Sequence, residues 1–373
     1  MTVMLTATGM LSLGYGASRE VEVLKTQNCR WLSEMVMVIV LLLVSSCGIL
    51  ESPEEEPEQS ISLVENPFTF AIDIRADGAI QLTNPPQGAS DQNPAFSPDD
   101  HQVLFTRFEN GYNEGPSALY LLDLASSEVT LLTSAPDSDS VNLPGSAWNA
   151  ATNQITFSSD RGGSEELWTI HADGSAPFRV TTGSHAESYL EPSFSPEGDW
   201  IAFEVAPQML NAEHQGSIWK VRADGSGLTQ LTGDEDGNDD RQPNWSPAGE
   251  AILFQRQAAG SDTWKLYLMN SDGRNIRQVT RSASEDSDAS WSADGSWVVY
   301  SSDYGELELP NLFIVSIEGG EPIRATYDED SYDGAPSWSH DGRWLAFESH
   351  LGDEDAPSAL WIIAAPEIML PIK

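Results

Sequence analysis

The sequence predicts an all-β fold: a six-bladed β-propeller of four-stranded antiparallel blades, preceded by a signal segment and an acidic flexible tether. Three observations predict it. A frame seen most clearly over Glu191–Glu204 returns with anchors at 97, 149, 195, 246, 292 and 339, spaced 46 to 52 residues apart. Most copies are followed by an apolar run meeting Asp-Gly and then a run ending in Leu-Thr or similar. No helical periodicity intervenes, so each period holds four strands, the unit of a propeller blade rather than of a helical repeat.

Residues 1–46 form the leader and signal segment. Met35–Val44 is an unbroken apolar run of the length of a secretory core and short for a bilayer span. Val44-Ser45-Ser46-Cys47 follows and resembles the bacterial lipobox, which makes Cys47 the expected lipidation site and first mature residue. An uncleaved anchor running through Ile49-Leu50 is the competing expectation. Cys29 would leave with the leader, so the mature domain would hold no thiol and no disulfide. Residues 47–67 contain Glu51–Ser60, where proline and like charges forbid a core; an extended tether is expected.

The propeller is expected over 68–373. Its first β signal, Phe70–Thr83, looks like the second half of a repeat, so an N-terminal strand should complete the blade begun by the C-terminus and remove exposed sheet edges. Glu367–Leu370 is the alternative fourth strand. The repeats then run as Pro94–Asp100, the degenerate Ser146–Asn149, Glu191–Gly198, Pro243–Gly249, Ala289–Gly295 and Pro336–Gly342. In these turns proline fixes φ, and glycine supplies the positive φ that a reversal needs. Asp-Gly in Leu167–Gly174, Ile218–Gly225 and Leu266–Gly273 marks the second hairpin. The 12 Trp and 12 Phe fall mostly on these strands and read as packing between blades.

The Pro-Ser-Trp/Phe-Ser-Pro-Asp-Gly, Ile-Ala-Phe and Ala-Asp-Gly-Ser elements together resemble the repeats of TolB-type β-propellers over roughly 68–373. The resemblance implies the fold. Related blades also serve scaffolds, the propellers of prolyl-oligopeptidase-type enzymes and a few sugar-cleaving enzymes, so it does not choose among activities. TolB itself carries a further α/β domain, for which 48–67 leave no room.

Charge is lopsided: 18 Lys and Arg against 58 Asp and Glu, formally -40. Such a surface repels phosphate backbones, which excludes nucleic acid as partner and favours cations or basic chains. Salt adaptation produces the same composition. Strand order puts the Asp-Gly turns on one face and the acid-rich loops on the other. Asp91, Glu191, Asp240, Asp288 and Asp333 stand just before the innermost strand, where they are expected to crowd the pore mouth and recruit a cation or basic chain. Among metals the oxygen donors suit Ca²⁺, with Asp234, Asp236 and Asp240 as candidate ligands, although the run lacks the EF-hand pattern. No Gly-x-Ser-x-Gly elbow, His-Glu-x-x-His or phosphate loop occurs. Of the six histidines, His185, His214 and His350 are placed in loops of the acidic face.

The expected function is a noncatalytic binding scaffold outside the cytoplasm, lipid-anchored to a bacterial membrane at Cys47, offering an acidic pore face to a protein, basic peptide or other cell-envelope ligand. The alternative is a metal-assisted polysaccharide lyase or hydrolase.

Overall fold

The computed structural model describes residues 71–133, 139–140, 147–183, 187–207, 215–233, 237–352 and 356–366. They form a six-bladed β-propeller. Blade 1 comprises Ser90–Phe96, Gln102–Phe108, Ser117–Asp123 and Val129–Leu131, paired antiparallel from the axis outward. Blade 2 comprises a split inner strand, Asp139–Ser140 and Trp148–Asn149, then Gln154–Ser159, Glu166–His171 and Phe178–Arg179. Blade 3 is Glu187–Phe194, Trp200–Pro207, Ser217–Arg222 and Thr229–Gln230; blade 4 is Asp239–Trp245, Ala251–Gln257, Trp264–Asn270 and Arg277–Gln278. Blade 5 is Asp286–Trp291, Trp297–Ser302, Asn311–Ser316 and Ile323–Arg324.

Blade 6 takes Ser331–Trp338, Trp344–Leu351 and Ala359–Ala364 from the C-terminal part, and its outer strand Ile80–Gln81 from the N-terminal part. Ile80 pairs with Ile362 and Gln81 with Trp361, so the expected closure is three strands plus one. The alternative strand Glu367–Leu370 lies outside the described residues. Only the end of the Phe70–Thr83 signal supplies a blade strand. Its first half folds back along Ala79–Gln81, with Arg75 N donating to Ala79 O at 2.8 Å and Gln81 N to Asp73 O at 2.9 Å.

Second strands carry apolar runs without alternation, such as Val103–Phe105, Ile201–Phe203 and Leu345–Phe347, because each blade packs on a neighbour through both faces. Six apolar clusters follow from this, each bridging adjacent blades; one joins Phe105 and Leu122 of blade 1 to Ala346 and Ile362 of blade 6.

The Leu-Thr signal has a physical meaning. Thr133, Thr181, Thr232, Thr280 and Thr326, all buried, accept at Oγ1 from the backbone N–H of Leu119, Leu167, Ile218, Leu266 and Leu312. Thr83 does the same for Leu360 at 3.0 Å, the same bond made across the closure. In the inner turns, Gly198, Gly249, Gly295 and Gly342 adopt φ of 70–77° and donate to Ser195, Ser246, Ser292 and Ser339. Asp100 holds that position in blade 1 at φ 58°, and its carboxylate accepts from the backbone N–H groups of His340 and Asp341 in blade 6.

Candidate functional site at the axis

Five of the six inner strands break register once, between Gln92 and Ala95, Leu190 and Ser193, Arg241 and Asn244, Ser287 and Ser290, and Gly334 and Ser337. At each break a residue takes positive φ: Asn93 55°, Glu191 54°, Gln242 50°, Asp288 53° and Ala335 44°. Proline follows four of them and Ala289 follows Asp288. A bulge leaves a residue unpaired, so proline, which lacks an N–H, loses nothing there. A left-handed conformation is costly for a residue with Cβ, and its repetition aims these side chains at the propeller axis.

There they meet one another. Gln242 N donates to Glu191 Oε2 at 2.7 Å, Gln242 Nε2 donates to Asp288 Oδ1 at 2.8 Å, and Asp288 N donates to Gln242 Oε1 at 3.2 Å. Gln255 donates to the same Gln242 carbonyl. From blade 6, Glu348 accepts from Asn93 N at 2.9 Å and from Tyr112 Oη at 2.7 Å, both belonging to blade 1. In blade 3, Glu204 of the second strand hydrogen-bonds Glu191, carboxyl to carboxyl. Glu191, Glu204 and Asp288 thus share one hydrogen-bonded network through Gln242, and the charge of Asp288 reaches Glu348.

Burial governs their titration. Glu348 is pushed up to about 7, chiefly by loss of solvent and further by the charge of Asp288, against the pull of its Tyr112 and Asn93 donors. Burial likewise raises Asp288. Glu204 lies well above the ordinary carboxylate range through burial and the neighbouring Glu191, so this pair shares a proton. Arg241 draws both back toward ionisation. Tyr112 is held protonated by burial and by Glu348, Tyr332 and Asp288. His350 stacks on Tyr332 at 4.9 Å, with Tyr112 edge-on to it at 5.6 Å.

Of the five residues expected at the pore mouth, Glu191 and Asp288 line the axis. Asp91, Asp240 and Asp333 do not: they sit two residues earlier than the bulge, fully buried between blades. Arg107 binds Asp91 through two bonds of 2.5 and 2.8 Å, Arg256 binds Asp240 at 2.6 and 2.8 Å, and Arg75 binds Asp333 at 2.8 and 2.9 Å. Asp139 is paired with Arg161 in the same way of charge. Each guanidinium lies over two rings: Phe105 and Tyr120, Phe157 and Trp168, Phe254 and Tyr267, Phe347 and Trp361. These aspartates close blades rather than face a ligand.

Asp234 and Asp236, with His185, His214 and Cys47, lie outside the described residues. Asp240 is committed to Arg256, and among the described residues no three of His, Cys, Asp and Glu gather to hold a metal. His350 is not in a loop but in strand Trp344–Leu351, only 5% exposed. The residues missed from sequence are Glu204, Gln242, Glu348 and Tyr112. For Gln242 the available signal was the position immediately before proline in four of the repeats, which names Asn93, Glu191, Gln242 and Ala335; Glu204, Glu348 and Tyr112 carry no such mark.

At the opposite end of the axis a cavity of about 220 Å³ is ringed by Trp148, Trp245, Trp291 and Trp338.

The family model described as the TolB beta propeller domain matches residues 65–264 and 259–356. A curated protein of Agrobacterium fabrum is 27% identical over 175 residues, 44% of this chain and 54% of its own length. The chain therefore spans about half of that relative. The crystal structure of TolB from Acinetobacter baumannii superposes with a TM-score of 0.52 at 16% identity, covering 74% of this chain and 64% of that one. An oligogalacturonate lyase in complex with manganese gives 0.52 at 15%, covering 80% and 96%. At such identities the likeness is one of fold.

Proposed function

Since the chain belongs to the TolB β-propeller family, we propose that it is a noncatalytic binding scaffold outside the cytoplasm, one that offers the acid-lined end of its axis to a basic peptide or protein segment of the cell envelope. The observation that carries this proposal is the contrast between two sets of acids. The interblade aspartates each have an arginine or lysine partner, whereas Glu191, Glu204, Asp288 and Glu348 are held by amides, a phenol, backbone N–H groups and one another. Crowded carboxylates in a low-dielectric site attract an incoming cation, which relieves their mutual repulsion. A lipid anchor at Cys47 would keep this face near the envelope, and the acidic segment after it would act as the tether.

The test is titration of the folded chain with a fluorescent oligolysine peptide at low and high salt. Affinity should fall steeply as sodium chloride rises, since the peptide approaches the acids through solvent, where charge attraction is screened within about 10 Å at 0.1 M. A Glu191→Gln, Asp288→Asn double variant should bind less tightly and lose most of the salt dependence. Salt-indifferent binding, or binding unchanged in that variant, would count against the axial acids. Adding millimolar Ca²⁺ to the same titration tests the metal: competition with the peptide would put Ca²⁺ on the same carboxylates.

A further inference from the structure

The axial acids hold protons through their geometry as well as their burial. Leu190 pairs with Glu204 across blade 3, and the bulge that follows, with Glu191 at φ 54°, brings Glu191 onto the Glu204 carboxyl. Two carboxyl groups in hydrogen-bond contact cannot both be ionised, because one of the facing oxygens has to carry the hydrogen. A third acid backs the pair: a Cβ added at Gly216 would lie 3.0 Å from Glu204 Oε1 and 2.8 Å from Asp239 Oδ1. Glu348 is held by two uncharged donors, Tyr112 Oη on Oε1 and Asn93 N on Oε2.

The charged and titratable groups facing these acids come from four blades. Asp239 and Arg241 of blade 4 and Asp288 of blade 5 face the Glu191–Glu204 pair. Tyr112 of blade 1, Asp288, and Tyr332 with His350 of blade 6 surround Glu348. Among these groups Arg241 is the one fixed cation, and it is engaged elsewhere: it donates to Asp239 Oδ2 at 2.8 Å and lies 4.1 Å from the Trp264 ring centroid. The cluster therefore limits its own charge with protons, where the interblade aspartates use arginine or lysine.

We propose that the axial site takes up its cationic partner in exchange for protons. This exchange presupposes the basic segment proposed above and adds what leaves when it binds. As an ammonium comes among the acids, the repulsion that opposed their ionisation is offset. The proton between Glu191 and Glu204 then passes to solvent, and so does the one on Glu348. Positive charge enters as positive charge leaves, so the buried cluster never carries the full repulsion of its carboxylates. Protons and partner compete for the same oxygens. Affinity is accordingly lowest in acid, rises with pH while the free site still holds its protons, and levels off once the free site has lost them.

Calorimetric titration of the folded chain with the oligolysine peptide, at one pH and one salt concentration in Pipes and in Bis-Tris, counts the protons, because each one released adds the heat of protonating the buffer. Lysine titrates near about 10.4 and ordinary carboxyls near about 4, so neither contributes between pH 5.5 and 7.5. Release of about one to two protons per peptide is expected, with affinity falling about tenfold per pH unit for each proton as pH drops through that range. A Glu204→Gln, Glu348→Gln double variant keeps side-chain volume and an acceptor at both positions. It should release no protons and bind with one affinity across the range, close to that of wild type at pH 5.5. Persistence of the pH dependence in this variant would trace it to histidines, which titrate near about 6.5, and overturns the exchange. Wild-type binding without proton release overturns the exchange and leaves the basic partner standing; no binding at any pH removes both.

Discussion

Glu348→Gln separates the two forces that meet at the axis. With a folded pKa raised from 4.5 to about 7, the native state keeps a proton that the unfolded chain releases, so ionising Glu348 costs about 3 kcal/mol more in the folded protein. A raised carboxyl pKa stabilises the fold fully below about 4.5, and that contribution is lost as pH rises to about 7, beyond which it is flat. Glutamine cannot titrate, and it keeps an oxygen able to accept from either Tyr112 or Asn93. Wild type should therefore lose roughly 2–3 kcal/mol relative to Glu348→Gln between pH 4.5 and 7, part of the full value being absorbed by coupling to Asp288. For a chain of this size that is a relative change in Tm of about 5 °C. Thermal melts by near-ultraviolet circular dichroism at pH 4.5, 5.5, 6.5 and 7.5, at fixed ionic strength, measure it. If the two Tm curves run parallel with pH, Glu348 does not hold a proton in the folded state and the burial argument fails.

Arg75→Ala should cost about 3–5 kcal/mol, because it strands the buried Asp333 charge and loosens the N-terminal strand of blade 6; a lowered Tm with faster proteolysis ahead of residue 90 would show it. Gly225→Ala should be worse than Gly342→Ala. Both have positive φ, but a Cβ at 225 would lie 2.6 Å from Val180 O while one at 342 meets nothing within 4 Å, so we expect about 1 kcal/mol at 342 and more than twice that at 225 by denaturant melts. Thr232→Val should cost about 1–2 kcal/mol, since the Ile218 N–H loses its acceptor, and equilibrium urea unfolding would measure it.

How much of the site was legible follows from individual residues. Glu191 and Asp288 were found because they are acids beside the repeat's Pro-Ser or Ala-Ser step. Asp91, Asp240 and Asp333 satisfied nearly the same criterion yet stand two positions earlier, where they are enclosed by Arg107, Arg256 and Arg75. Side chains two apart on a regular strand share a face, but the bulge re-aims only the residue directly before the Pro-Ser or Ala-Ser step. Arg75 lies 258 residues from Asp333 along the chain, and nothing local announces that pair. Tyr112 sits in a loop between the second and third strands of blade 1, and only ring closure brings it to Glu348 of blade 6.

What the sequence determined by itself was the repeating unit and its count, because turn chemistry at Ser-Pro-Asp-Gly and Asp-Gly, apolar strand runs and the threonine after each outer strand are all local properties. It also indicated the closure, since an unpaired half repeat at one end must find a partner. The tertiary structure decided which acids are neutralised and which share protons. That outcome depends on burial and on charges brought together from different blades, quantities that have no value until the ring has closed.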